Sequence, residues 1–283
     1  MPHETIKVGA LEISALTDVD IPDEPMADAF PGAPAEELDA ARSLYPSIYS
    51  PDGTWRLRVR TWLIRHPHGV LLLDTGIGPE TSPAMEWSPT VGSTHRSLAE
   101  VDASPDEVDT VAISHSHSDH IGGVLLADGT PAYPRARYVI QRADVDWERE
   151  AASDGENPTW TALVEQLSSA GVLDVIDGDH RLTEAIELHH APGHTPGHQV
   201  LRIASDGARA LLSADTWNHP VQLRHPEWWA GSDDDHAAAE ATRRALLAEV
   251  LDTDVLVAPT HFGEAFGHIA SMPDGPAGWS PST

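Results

Sequence analysis

Residues 113–120 read ISHSHSDH and follow directly on the apolar positions Val111 and Ala112. An apolar run of this kind is a buried strand, so the chain places four metal-competent side chains where a buried strand opens into a loop. Residues two apart on an extended backbone point to the same side, which lets His115 and His117 turn their imidazoles towards one cation. Once the chain bends towards a helix, Asp119 and His120 aim at a second position nearby. Such a stretch needs a fold whose strands end together at one edge and bring further ligands from distant parts of the chain. Three other strand-to-loop junctions offer them: APGHTPGH at 191–198, SAD at 213–215 and VAPTH at 257–261. There is no cysteine, so any transition metal must be held by histidine and carboxylate.

The rest of the chain provides the scaffold that this edge requires. With 283 residues and 40 % apolar content, it is long enough for one large core. Residues 6–17 alternate around Gly9 as a hairpin, Trp55 to Arg65 alternates as a strand, and Val70 to Leu73 is a short apolar strand ending at Asp74. Ser104, Pro105 and Glu107 resemble a helix start. A short helix is expected from Ser118 or Asp119, a strand over 137–141, and helices over 143–151 and 158–170. Strands follow at 186–190, 199–203, 209–213 and 255–258, with a helix over about 235–250. Hairpins mixed with αβ crossovers imply an α+β fold, two sheets covered by helices in a single domain spanning 1–283. Residues 20–53, rich in proline, aspartate and alanine, carry at most one short helix near Ala35 to Arg42 and are read as an N-terminal extension or lid.

Charge narrows the partners. The formal charge of -28, with Lys7 the only lysine, repels phosphate backbones, which argues against nucleic acid. No run of 18 apolar residues and no basic-then-apolar start is present, so a cytoplasmic protein that does not enter the membrane is expected.

The pattern resembles the metallo-β-lactamase superfamily. Its HxHxDH signature is met by His115, His117, Asp119 and His120, and its later signals recur in order as His198, Asp215 and His261. The resemblance implies a four-layer αββα sandwich with a dinuclear site between the sheets. It further implies His115, His117 and His198 at one metal, Asp119, His120 and His261 at the other, and Asp215 bridging. His198 is preferred to His194 because it immediately precedes the apolar strand QVLRI. Asp74, His194 and His268 are expected behind the ligands, with Asp74 fixing a ligand tautomer. Zinc is the default pair of ions, with manganese, iron or cobalt suited to the same donors.

By the same resemblance, a hydroxide shared by the metals attacks the substrate, and Asp119 carries a proton to the leaving group. His117 stands where diiron relatives carry glutamate, and Asp215 is absent from true β-lactamases. The ending APTHFGEAFGHI and the long leader resemble the acyl-homoserine lactonase and methyl-parathion-hydrolase-like branch, whose leader helps form a dimer. A homodimer acting on a small-molecule lactone or carboxylic ester is therefore expected. Organophosphate or phosphodiester hydrolysis, or a specialised hydrolysis in secondary metabolism, is the alternative. Lactonases of the branch place a tyrosine three residues beyond the bridging aspartate, where this chain has Asn218, with His219 next to it as another proton source. Met85, Trp87, Trp147, Trp217, Trp228, Trp229, Phe262 and Phe266 are the expected pocket lining, while Trp55, Trp62 and Trp160 are assigned to packing.

Overall fold

The computed structural model describes residues 4–22, 25–153, 155–273 and 275–282. The first half builds one sheet from β1 (Glu4–Val8), β2 (Leu11–Pro22), β3 (Arg56–His66), β4 (Gly69–Leu73), β5 (Thr110–Ala112), β6 (Arg137–Gln141) and β7 (Leu173–Ile176), which lie side by side in chain order. The second half builds another from β8 (His180–Arg181), β9 (Ile186–His190), β10 (Gln199–Ser205), β11 (Ala208–Ala214), β12 (Leu256–Pro259), β13 (Gly267–Met272) and β14 (Gly275–Pro281), again in order. β1 to β4 pair antiparallel, whereas β4 to β7 are parallel, as are β11 and β12.

Side-chain alternation stacks the layers. Leu71 and Leu73 meet Leu201, Leu212 and Ala258 between the sheets, while Leu72 points outward to Leu98, Val145 and Leu163. On the other side, Val200, Leu211 and Val257 face Leu246 and Val250. Sheets buried on both faces need helices outside, and the chain supplies them. These are α1 (Met26–Ala29), α2 (Ala35–Leu44), α3 (Thr94–Glu100), α4 (Ser118–Ile121), α5 (Arg142–Ser153), a π-helical stretch (Trp160–Gln166) running into α6 (Leu167–Ser169), α7 (Val221–Arg224) and α8 (His236–Val250). The result is an αββα sandwich.

Several expectations are revised. The helix start at Ser104 yields one 3-10 turn, Pro105–Glu107, because its capping box closes on a chain that bends at once into β5. The helix covering that region is α3, whose segment lacks a regular apolar period. Residues 26–48 form more structure than one helix: Met26, Phe30, Leu38 and Ile48 are buried against Val221, Trp228 and Ala230 of the same chain. The apolar side chains of residues 26–48 are thus covered within the same chain.

Candidate metal centre

Strand ends converge at one edge. Asp74 follows β4 and Ala214 closes β11, both at positive φ (62° and 42°), a conformation that costs a non-glycine residue energy and turns the chain abruptly at the site. His115, His117, Asp119 and His120 follow β5, Asp215 follows β11, and His261 follows β12. The loop between β9 and β10 brings His194 and His198.

Each imidazole is oriented from behind. Asp74 accepts from Ser114 N (2.7 Å), Ser114 Oγ (2.8 Å) and His120 Nδ1 (2.8 Å), so His120 presents Nε2 to the site. His261 Nδ1 donates to Arg58 O at 2.8 Å, and His194 Nδ1 donates to Asp233 Oδ1 at 3.0 Å. Buried Arg60 donates to the carbonyls of Thr260 and Phe262 and so holds the loop that carries His261. Asp144 joins the two ligand loops, accepting from Ser116 N, Thr195 Oγ1 and Gly197 N. A Cβ on Gly197 would lie 2.6 Å from Asp144 N, so only glycine permits that approach.

The donor set fits two cations. His115 Nε2, His120 Nε2 and Asp215 Oδ1 are buried without hydrogen-bond partners. Two ligands of one tetrahedral ion with bonds of about 2.0–2.1 Å lie roughly 3.3 Å apart. His120 Nε2 is 3.2 Å from Asp215 Oδ1 and 3.4 Å from Asp119 Oδ2, and His261 Nε2 is 3.0 Å from Asp215 Oδ2 and 3.7 Å from Asp119 Oδ2. His115, His117 and His194 form the other group, with His117 Nδ1 and His194 Nε2 2.9 Å apart. His194 Nε2 is also 3.4 Å from Asp215 Oδ2, so that carboxylate faces both groups.

Charge divides the cluster likewise. Burial drives His115 well below the ordinary imidazole range and His117 to about 3, leaving neutral rings with free lone pairs. Burial opposes charge on His120 and His261 as well, but Asp215 and Asp119 outweigh it and raise both. Burial resists ionisation of Asp119, yet His120 and His261 pull it down to about 2. The second half is thus an ion cluster whose protons a metal would displace.

His198 is a correction. Its Nδ1 donates to Ala191 O at 2.9 Å and its Nε2 accepts from Asp215 N at 3.2 Å, so no lone pair remains for a metal. It supports the backbone of Asp215, and His194, expected behind the ligands, takes the inner position. His219 is another. Its Nδ1 accepts from Val221 N, so Nε2 carries the proton and meets Tyr49 Oη at 3.0 Å, inside a cage of Phe30, Tyr45, Tyr49 and Trp55. Burial lowers it to about 3, so the ring stays neutral, and its one proton is engaged with Tyr49 away from the cavity lining. His268 pairs with Ser280 across β13 and β14, outside the groups that could hold a metal. Asn218 does reach the site, but Nδ2 is spent on Asp215 Oδ2 at 2.9 Å, so it holds a carboxylate instead of offering that donor to a substrate.

A cavity of about 210 Å³ opens over Asp119, Asp215 and His261. Of the expected lining residues, Trp87 is there; Trp147 lies just beside it, its ring centroid 6.1 Å from that of His117. The others pack elsewhere. Trp217 and Phe262 lie in the core beneath α8, Phe266 stacks edge-on to Trp62, and Met85 joins Val19 and Ile77. Trp228 stacks on His225 and Trp229 on His236. The apolar wall is instead Phe30, Trp55 and Leu57. Trp55 reads as strand by its alternation and stands just before β3 as an isolated bridge to Tyr49, while Phe30 is one of the apolar side chains for which residues 20–53 need a surface to cover. Asp233 and Asp144 carry no signal in the sequence, being single acids among 45 acidic residues.

Residues 54–261 match the sequence model of the Metallo-beta-lactamase superfamily. The chain belongs to this superfamily. An N-acyl homoserine lactonase of Bacillus sp is 28 % identical over 225 residues, 74 % of this chain and 84 % of its own length. A hydroxyacylglutathione hydrolase of Aeromonas salmonicida is 29 % identical over 157 residues, 55 % of this chain and 45 % of its own. Among solved structures, AidC, a dizinc quorum-quenching lactonase in complex with a product, superposes with a TM-score of 0.83 at 25 % identity, covering 99 % of this chain and 97 % of that one. The hydrolase AbOPH superposes at 0.85 with 19 % identity, covering 100 % and 98 %. No helix among the described residues is long and apolar enough to cross a membrane.

Proposed function

We propose that this protein is a dinuclear metal-dependent hydrolase of small-molecule lactones or carboxylic esters, with N-acyl lactones the leading class. The observation that carries this reading is the set of bare, buried donors at the floor of a cavity with an apolar wall. His115, His117 and His194 would hold one ion, Asp119, His120 and His261 the other, with Asp215 between them and zinc the metal of choice. Two such ions supply a water acidified towards neutrality and a Lewis acid for the substrate carbonyl.

The chain does the rest. Phe30, Trp55 and Leu57 take up the apolar acyl part and exclude water. Asp119, lining the cavity and still 14 % exposed, is placed to move a proton to the leaving oxygen. Similarity to the N-acyl homoserine lactonases over most of the chain supports the lactone class. A homodimer remains part of the proposal. Because the apolar side of the lid is covered within the chain, the contact would use what the lid leaves outside, such as Leu44 at 46 % exposure.

The test compares kcat/KM of metal-loaded protein for acyl lactones, aryl esters, a phosphotriester, an acyl thioester and a β-lactam. Lactones and esters should lead. Dominant phosphotriester turnover would move the protein to the alternative class.

A further inference from the structure

Helix α8 buries Ala239, Arg243, Leu246 and Val250 along one face, so an arginine stands on the stripe whose other large members, Leu246 and Val250, face Val200, Leu211 and Val257. Its neighbour Arg244 points outward to Glu227 and Glu240. Burying a guanidinium is costly unless it is paired. Arg243 is paired twice, with Nη1 donating to Asp233 Oδ2 at 3.0 Å and Nε donating to Pro226 O at 2.9 Å. The side chains of the ion pair are 1 % and 0 % exposed. An ion pair at this depth adds little to stability over an apolar pair of similar volume. What this one supplies is direction, at both ends of one loop.

That loop, residues 226–233, leads from α7 to α8 and has two duties. Ala230, Gly231 and Ser232 line the cavity over the metal centre. Asp233, next in the chain, accepts from His194 Nδ1 on Oδ1 and from Ala230 N and Arg243 Nη1 on Oδ2. With both oxygens committed, the carboxylate cannot rotate off the imidazole. Burial resists its ionisation, but the His194 imidazole and the Arg243 guanidinium hold it below the ordinary carboxylate range. The backbone joins the same parts: Asp234 N donates to His194 O and Asp235 N to Gly193 O. The first turn of α8 lies so close that a Cβ on Gly193 would be 2.1 Å from Ala239 N.

We infer that Arg243 is a positioning residue for metal and substrate alike: through Asp233 it fixes His194 towards the ion, and by holding Pro226 and Asp233 together it fixes the cavity wall from Ala230 to Ser232. This rests on the reading of His194 as a ligand proposed above. Arg243 itself lines no part of the cavity, yet a change there alters metal affinity and substrate binding together.

The test is metal affinity by competition against a chromogenic chelator, with the visible spectrum of the cobalt-substituted protein and the kinetics of the best lactone or ester beside it. Arg243→Met should weaken one of the two ions about tenfold or more, as expected when the support behind a ligand imidazole is lost. It should also shift the cobalt ligand-field bands and raise KM more than it lowers kcat. Arg243→Lys should recover most of the metal affinity, because a point charge still meets Asp233, and leave KM raised, because an ammonium lacks the planar fork that spans Asp233 and Pro226. In the Asp233→Asn background, Arg243→Met should cost no further metal affinity, since the path through Asp233 is already cut. That double variant leaves no buried charge unpaired, so it and Arg243→Lys carry the test if Arg243→Met does not fold. Wild-type metal affinity in Arg243→Met, a loss in Arg243→Lys as large as in Asp233→Asn, or losses that multiply in the double variant would overturn the inference. His194→Ala separates it from the reading on which it rests. Loss of one ion there, with unchanged affinity in every Arg243 variant, overturns the inference alone, whereas retention of both ions overturns the ligand reading and the inference with it.

Discussion

At the scale of single residues, the choice between His194 and His198 shows what a motif conveys and what it omits. The sequence APGHTPGH places two histidines four apart, and the apolar strand after the second suggests that it is the better anchored. Anchoring is indeed what His198 has, with both nitrogens used by the backbone, and that is why it cannot ligate. His194 has one nitrogen fixed by Asp233 and the other facing the cluster, a division visible only once Asp233 is brought from 39 residues away. His194→Ala should therefore lose close to one equivalent of metal by elemental analysis, whereas His198→Ala should retain most of both and lose stability instead. Equal metal loss in the two variants would refute the assignment. Asp233→Asn should weaken metal binding by roughly 10–100-fold, the usual effect of removing the group that orients a ligand imidazole; competition against a chromogenic chelator measures it.

At the scale of elements, the strands were legible because the hydrophobic pattern that marks a doubly covered sheet is short and dense, and β6 and β9 fall where Arg137 to Gln141 and Ile186 to His190 predict them. Elements held by single polar anchors were not. α3 has three buried residues among seven and is tied down by Asp18, which accepts from Ser93 N and Thr94 N across 75 and 76 residues. Residues 26–48 offer no regular apolar period, because their apolar side chains converge from α1, α2 and the turn after it on one patch around Trp228. Phe30 belongs to both that patch and the cavity wall. Phe30→Ala should cost about 3–5 kcal/mol in unfolding free energy if the lid is integral to the fold, and should raise KM for long acyl substrates more than it lowers kcat. A fall in kcat alone, with KM and stability unchanged, would mean that the lid neither covers the substrate nor supports the domain.

At the scale of the whole molecule, the two sheets meet at a centre whose buried charges only metal can fully satisfy, on a surface dominated by acid. Chelation should lower the midpoint of thermal unfolding, since ions bound only to the folded state stabilise it by about 4 kcal/mol each at a thousandfold excess over Kd. Salt should act in the opposite direction. A formal charge of -28 makes the compact state repel itself, and unfolding relieves that repulsion. The surface ion pairs that salt would weaken, such as Arg137 with Asp174 and Arg142 with Asp177, are half exposed and worth at most about 1 kcal/mol each. Screening the many acids that have no basic partner outweighs that loss. Raising sodium chloride from low concentration to a few tenths molar should therefore raise the unfolding midpoint of the metal-loaded protein, with the shift saturating as the screening length falls below the spacing of surface charges. A falling midpoint would mean that the ion pairs, not the net charge, govern the stability of this surface.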